Sequence, residues 1–136
     1  MILVEKPWGY EKWLAYCKEY VMKEIFIKKG FKTSLQYHNQ KKETNYVFSG
    51  KVKLTLGEFT TEAVQGTVVE ILPGIKHQIT AVDDSLLFEV STYHLNDVIR
   101  LEDSYGRDVI NTKTTIDLTK QGTGVYGTWK LKNLMK

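Results

Sequence analysis

The sequence is poor in residues that fix a chain covalently or conformationally. It has one cysteine, Cys17, so an internal disulfide is excluded and a reducing compartment is the expectation. Its two prolines, Pro7 and Pro73, stand in Pro7-Trp8-Gly9-Tyr10 and Pro73-Gly74, both turn signals. No window approaches the ~18 apolar residues of a membrane span. The start, MILVEKPW, runs into charge after four apolar residues, which does not read as a signal peptide. The cytoplasm is therefore the expected location, with no membrane partner. Internal repeats, low-complexity runs and linkers are also missing. Arginine is scarce: only two of the 19 basic residues are Arg, at Arg100 and Arg107. The net charge of +3 is too mild to argue for nucleic acid. A helical period is nearly absent; only Leu95 to Ser104 has room for one helical turn.

What is present suits one domain of strands. A chain of 136 residues with 42% apolar and 12% aromatic side chains can bury a core without staples. Short runs rich in Val, Ile, Thr and aromatics are divided by turns every 8 to 12 residues, which argues a sandwich or barrel. Residues 1 to 10 read as a lead-in, with Trp8 and Tyr10 placed to plug one end of a barrel or to shape a pocket mouth. Strands are expected over 11–16, 20–28, around Gln36 to His38, over 44–49, 51–56, 67–72, 78–82 and 86–94. Glu58 to Gln65 holds a short strand and a loop. KVKLTLG alternates most cleanly, with Val52, Leu54 and Leu56 inward and Lys51, Lys53 and Thr55 outward. Ser49-Gly50 reads as a hairpin turn.

Residues 30 to 50, GFKTSLQYHNQKKETNYVFSG, carry the chemistry. On a strand, Gln36 and His38 point to one face. Asn39 to Lys42 suit a turn, and Glu43 opens the next strand. If those two strands pair, Gln36, His38 and Glu43 meet at one end of a sheet face. His77, after the Pro73-Gly74 turn, adds a second imidazole. Such a set is a nest for a divalent metal; zinc is the leading choice, with iron, manganese and nickel able to use the same ligands.

The spacing resembles the two cupin motifs. Gly30, Gln36-x-His38, Glu43 and Gly50 match the first, with Gln where the first His usually stands. Gly66, Gly74 and His77 match the second, with Leu72 in place of its first Pro and Ala81 where Asn is common. SLQYH, KPWGYEKWL (Lys6 to Leu14) and DVIRLEDSYGR (Asp97 to Arg107) resemble cupin-type mannose-6-phosphate isomerases, the C-terminal part of bifunctional guanylyltransferase/isomerases. The likeness covers about residues 6 to 108. Lys41, Asn45 and Ser91 depart from it, where the family has Arg, an aromatic and Gln.

The resemblance implies an all-β cupin, a double-stranded β-helix or jelly-roll barrel. It also implies an aldose–ketose isomerase acting on a sugar phosphate, with metal ligands Gln36, His38, Glu43 and His77. Arg100 or Arg107 would grip the phosphate, since a guanidinium fork matches it; a local ion pair with Glu102, Asp103 or Asp108 is the competing use. Glu89, His94 and Lys53 are candidates for the base, with Lys53 aimed outward by alternation. An accessory cupin that binds a sugar or nucleotide sugar without turnover is the second reading. A dioxygenase is the third, and Gln36 counts against it. Residues 109–136 lie beyond the likeness. Their VYGTWKL run reads as an edge strand or a homodimer contact.

Overall fold

A computed structural model describes residues 1–105. Among them are eleven strands: β1 (Ile2–Lys6), β2 (Gly9–Tyr16), β3 (Val21–Ile27), β4 (Leu35–Tyr37), β5 (Glu43–Ser49), β6 (Lys51–Leu56), β7 (Phe59–Val64), β8 (Val68–Ile71), β9 (His77–Ala81), β10 (Ser85–Ser91) and β11 (Ile99–Glu102). They form two antiparallel sheets, in the orders β1-β2-β3-β10-β5-β8 and β11-β4-β9-β6-β7. Side chains of alternate residues fill the space between the sheets. This is the all-β cupin sandwich. Among the described residues, no helix is long and apolar enough to cross a membrane.

Several local expectations are corrected. The lead-in is itself a strand: β1 pairs with β2 from Ile2↔Trp13 to Lys6↔Gly9, so Pro7-Trp8 is a hairpin turn. Its two aromatics part company. Trp8 is buried in the core, while Tyr10 stacks on Phe26 with ring centroids 5.4 Å apart. Ser49-Gly50 is not a hairpin, because β5 and β6 belong to different sheets. It is a corner. Gly50 has φ +88°, and a Cβ there would strike the Asp84 carbonyl and Ser85, so only glycine turns this corner without strain. The segment 95–104 contains β11 and no helical turn; its branched Val98 and Ile99 favour the sheet. The tail 109–136 lies outside the described residues.

The interior is divided. One cluster joins Trp8, Ile25, Ile27, Val47, Val52, Leu54, Ala63, Ile79, Ala81 and Leu87. Another joins Ile2, Trp13, Tyr16, Val21 and Leu95. Beside them lie buried Lys23, Glu43, Asn45, His77, Glu89 and Arg100 on strands, and buried His38 and Lys41 on the loop after β4.

Candidate metal centre

The strand carrying Gln36 does not pair with the strand opened by Glu43: β4 lies in the five-stranded sheet and β5 in the six-stranded one. The expected convergence occurs by another route, across the sandwich. In the smaller sheet, Gln36 is in register with both His77 and Arg100. In the larger, Glu89 is in register with Lys23 and Asn45, and Glu43 with Ser91. The loop after β4 brings His38 to the gap between the sheets. The Pro73-Gly74 turn is tied to that loop: the Gly74 N–H donates to the His38 carbonyl at 2.7 Å. Gly74 holds φ +85° there, a conformation that suits its missing Cβ.

His38, Glu43 and His77 form a group whose ligand atoms lie within 4.8 Å of one another. The Glu43 Oε1 is 3.4 Å from His38 Nε2 and 3.1 Å from His77 Nε2. The tautomers follow from the other ring nitrogens. His77 Nδ1 lies 2.9 Å from the Ile75 carbonyl, and His38 Nδ1 meets the Asp97 carbonyl. A carbonyl only accepts, so each Nδ1 carries a proton and donates. In a neutral ring that leaves a lone pair on each Nε2. Neither buried Nε2 has a hydrogen-bond partner, and both face a carboxylate oxygen.

Three buried acceptors aimed at one point repel unless a cation or proton sits among them. Donor separations of 3.1 and 3.4 Å also match two ligands of one ion with bonds of about 2.1 Å, which stand about 3.0 to 3.4 Å apart. The donor set therefore fits a divalent metal. Gln36 lines the same cavity, with its Oε1 accepting from Ser34 Oγ at 2.8 Å.

Acids and bases surround this trio. Lys41 is 5% exposed, yet its Nζ lies 2.9 Å from Glu89 Oε2 and 3.3 Å from Glu43 Oε2. Burial works against the Glu43 charge, but the Lys41 ammonium, with a hydrogen bond from Glu89, holds its carboxyl well below the usual range. Glu89 goes the other way: burial first, then the neighbouring Glu43 charge, push it up to about 7 despite Lys41. Lys41 itself is held charged, because the two carboxylates outweigh its burial. A second group closes the other wall. Glu11 accepts from Trp13 Nε1 at 3.0 Å and pairs with Lys23 at 3.2 Å.

All these side chains line one cavity of about 80 Å³, with Lys6 and Arg100 also on its wall. Four cationic side chains there face three carboxylates. Asn45 stands at the wall as well, and its buried Oδ1 has no hydrogen-bond partner.

Of the candidates read from the sequence, Gln36, His38, Glu43, His77, Glu89 and Arg100 are brought together here. Lys53 is not: it is exposed on β6, away from the cavity. Alternation on a half-buried sheet sends it to solvent. His94 is also outside the lining; its Nδ1 sits 2.8 Å from Thr92 Oγ1. That leaves Glu89 as the base candidate in the cavity. Arg107 lies outside the described residues. Lys41, Glu11 and Lys23 were missed. The signal for Lys23 was present, since it is the residue that breaks the apolar phase of β3.

The fold and site define the class as a cupin with a His/Glu/His centre. Residues 2–103 match the family described as mannose-6-phosphate isomerase C-terminal, and the chain belongs to that family. It is similar to the xanthan biosynthesis protein XanB of Xanthomonas campestris pv. campestris, at 29% identity over 109 residues. That match covers 76% of this chain and 23% of the relative, so the chain spans about a quarter of that protein's length. Among solved structures it is similar to KdgF from Halomonas sp., with TM-score 0.65 and 16% identity over 69% of this chain and 87% of that one. An RmlC-like cupin from Shewanella frigidimarina NCIMB 400 aligns with TM-score 0.63 and 15% identity, over 68% and 83%. These structural likenesses concern the fold.

Proposed function

We propose that the protein is a metal-dependent aldose–ketose isomerase acting on a mannose-6-phosphate-like sugar phosphate. The observation that carries the reading is the meeting of two bare imidazole nitrogens, a carboxylate and the Glu89–Lys41 pair in one cavity. His38, Glu43 and His77 would hold the metal, with Gln36 beside them. A divalent cation there supplies Lewis-acid polarisation of a carbonyl or hydroxyl oxygen. Zinc is the first candidate, followed by iron, manganese and nickel.

The chain's own residues supply the rest. The isomerisation moves a proton between neighbouring carbons, which needs a group that both accepts and returns it near neutral pH. Glu89, raised to about 7, suits that work, and Lys41 holds its Oε2 at 2.9 Å. The Asn45 Oδ1 offers an acceptor to a sugar hydroxyl. Arg100, buried at the wall, is the natural grip for a phosphate. The cationic excess in the cavity lining favours an anionic ligand. Polysaccharide building is named for the XanB relative, and the supply of a phosphosugar precursor is the role proposed here.

The test is an assay of mannose 6-phosphate and fructose 6-phosphate interconversion by the zinc-loaded full chain. Turnover that disappears in Glu89→Gln, with metal retained, supports the reading. Tight sugar-phosphate binding without turnover by the wild-type protein replaces it with the accessory-binding reading.

A further inference from the structure

Asp97 lies between β10 and β11, outside the cavity lining, yet four contacts run from it to the metal loop. Its Oδ1 accepts from the Asn39 N–H at 3.0 Å. Its Oδ2 accepts from Gln40 N–H at 2.6 Å and from Lys41 N–H at 3.0 Å. Its own main-chain carbonyl accepts a hydrogen bond from His38 Nδ1. Burial opposes the Asp97 charge, but three backbone donors hold the carboxyl below its usual range.

We propose that Asp97 is the positioning residue of the centre: its carboxylate pins the loop 39–41 while its carbonyl fixes the His38 tautomer. The consequence reaches both halves of the site. Loop 39–41 begins after His38 and ends at Lys41, whose ammonium spans Glu43 and Glu89. One residue thus sets the direction of an Nε2 lone pair and the height of the bridging cation. Partners that orient a metal-binding histidine in this way typically change metal affinity by about 10- to 100-fold when removed. Asparagine is nearly the same size, but it offers one oxygen where the carboxylate uses two, and its NH2 would face a backbone donor. The isosteric change therefore breaks the clamp without opening a cavity. The inference takes the metal trio from the reading above, and its test separates the two.

The experiment compares full-length wild type with Asp97→Asn. Zinc affinity is read by chelator competition, and the imidazole tautomers of the zinc-free proteins by long-range 15N NMR. Expected are about 10- to 100-fold weaker zinc binding in D97N, His38 in its Nδ1–H form in the wild type, where the Asp97 carbonyl accepts from it, and ring shifts in D97N that move at His38 and stay at His77. A wholly structural role would disturb both rings alike. Zinc affinity of D97N within about threefold of wild type, or His38 as the Nε2–H form in the zinc-free wild type, overturns the proposal. Should D97N fail to fold, the wild-type spectrum decides: His38 as the Nδ1–H form supports it, and the Nε2–H form overturns it. The tautomer measurement needs no metal, so a wild type that ignores zinc removes the metal reading and leaves this test standing.

Discussion

Two neighbouring rows of the larger sheet differ in every way but their backbone. Ile25, Leu87 and Val47 lie in register and face inward, into the apolar cluster. Two residues along each strand, Lys23, Glu89 and Asn45 do the same and face the cavity. Strand pairing and pleat are shared, so neither decides what a row may hold. Compensation does. The apolar row gains about 25 cal/mol for each Å² taken from water. The polar row costs free energy unless its groups are paired or liganded. Lys23 is paired with Glu11, and Glu89 with Lys41. Asn45 Oδ1, His38 Nε2 and His77 Nε2 are left for something from outside the chain. A fold that retains such a row spends stability where it binds.

The largest effect on this contrast should come from emptying the polar side. His38→Ala with His77→Ala removes two of three metal donors. Metal content by elemental analysis should fall to background, and any isomerase turnover with it. The metal-free double variant should melt no lower than metal-free wild type, since facing acceptors have been removed. Next comes the dry side. Leu87, 1% exposed, changed to Ala should cost about 2 to 5 kcal/mol in denaturant unfolding, with metal content unchanged. A loss of metal there would mean the two rows are not separate.

Acid sharpens the comparison through Glu11, the ion-pair partner of Lys23 in the polar row. Burial alone would raise Glu11, but Lys23, Lys6 and the Trp13 hydrogen bond bring it from 4.5 to about 2. Its folded value lies below the unfolded one, so its contribution is complete above about pH 4.5 and is lost as pH falls towards 2. That contribution is on the order of 3 kcal/mol. Denaturant midpoints of wild type should drop through this window, and Glu11→Gln should flatten that part of the curve. The smallest effect is expected outside both rows. Lys53→Ala, on the solvent face of β6, should change stability by less than about 0.5 kcal/mol and leave metal binding alone.

Much of this was legible along the chain. The alternation in KVKLTLG placed Val52 and Leu54 inside and Lys53 outside, because a half-buried strand repeats every two residues. The spacing picked out His38, Glu43 and His77, which meet, and Gln36, which lines the same cavity. The reason they meet was not legible. Pairing of β4 with β5 is the local solution a sequence suggests, and the chain instead sends the two strands to opposite sheets. Lys41 and Asp97 escaped for a related reason. A lysine in a polar loop reads as solvated, and an aspartate 58 residues from Asn39 gives no local sign that it caps that loop.

The amino-acid order by itself determined the strand periods and the turn at Pro73-Gly74, since each depends on neighbours a few positions away, and its motif spacing marked His38, Glu43 and His77 as candidate donors. Only the packing of one sheet on the other decided that buried charges face each other across a cavity, that Lys41 stands between two carboxylates, and that Asp97 holds the loop. Those outcomes rest on contacts between distant segments, whose energies exist only once the chain has closed on itself.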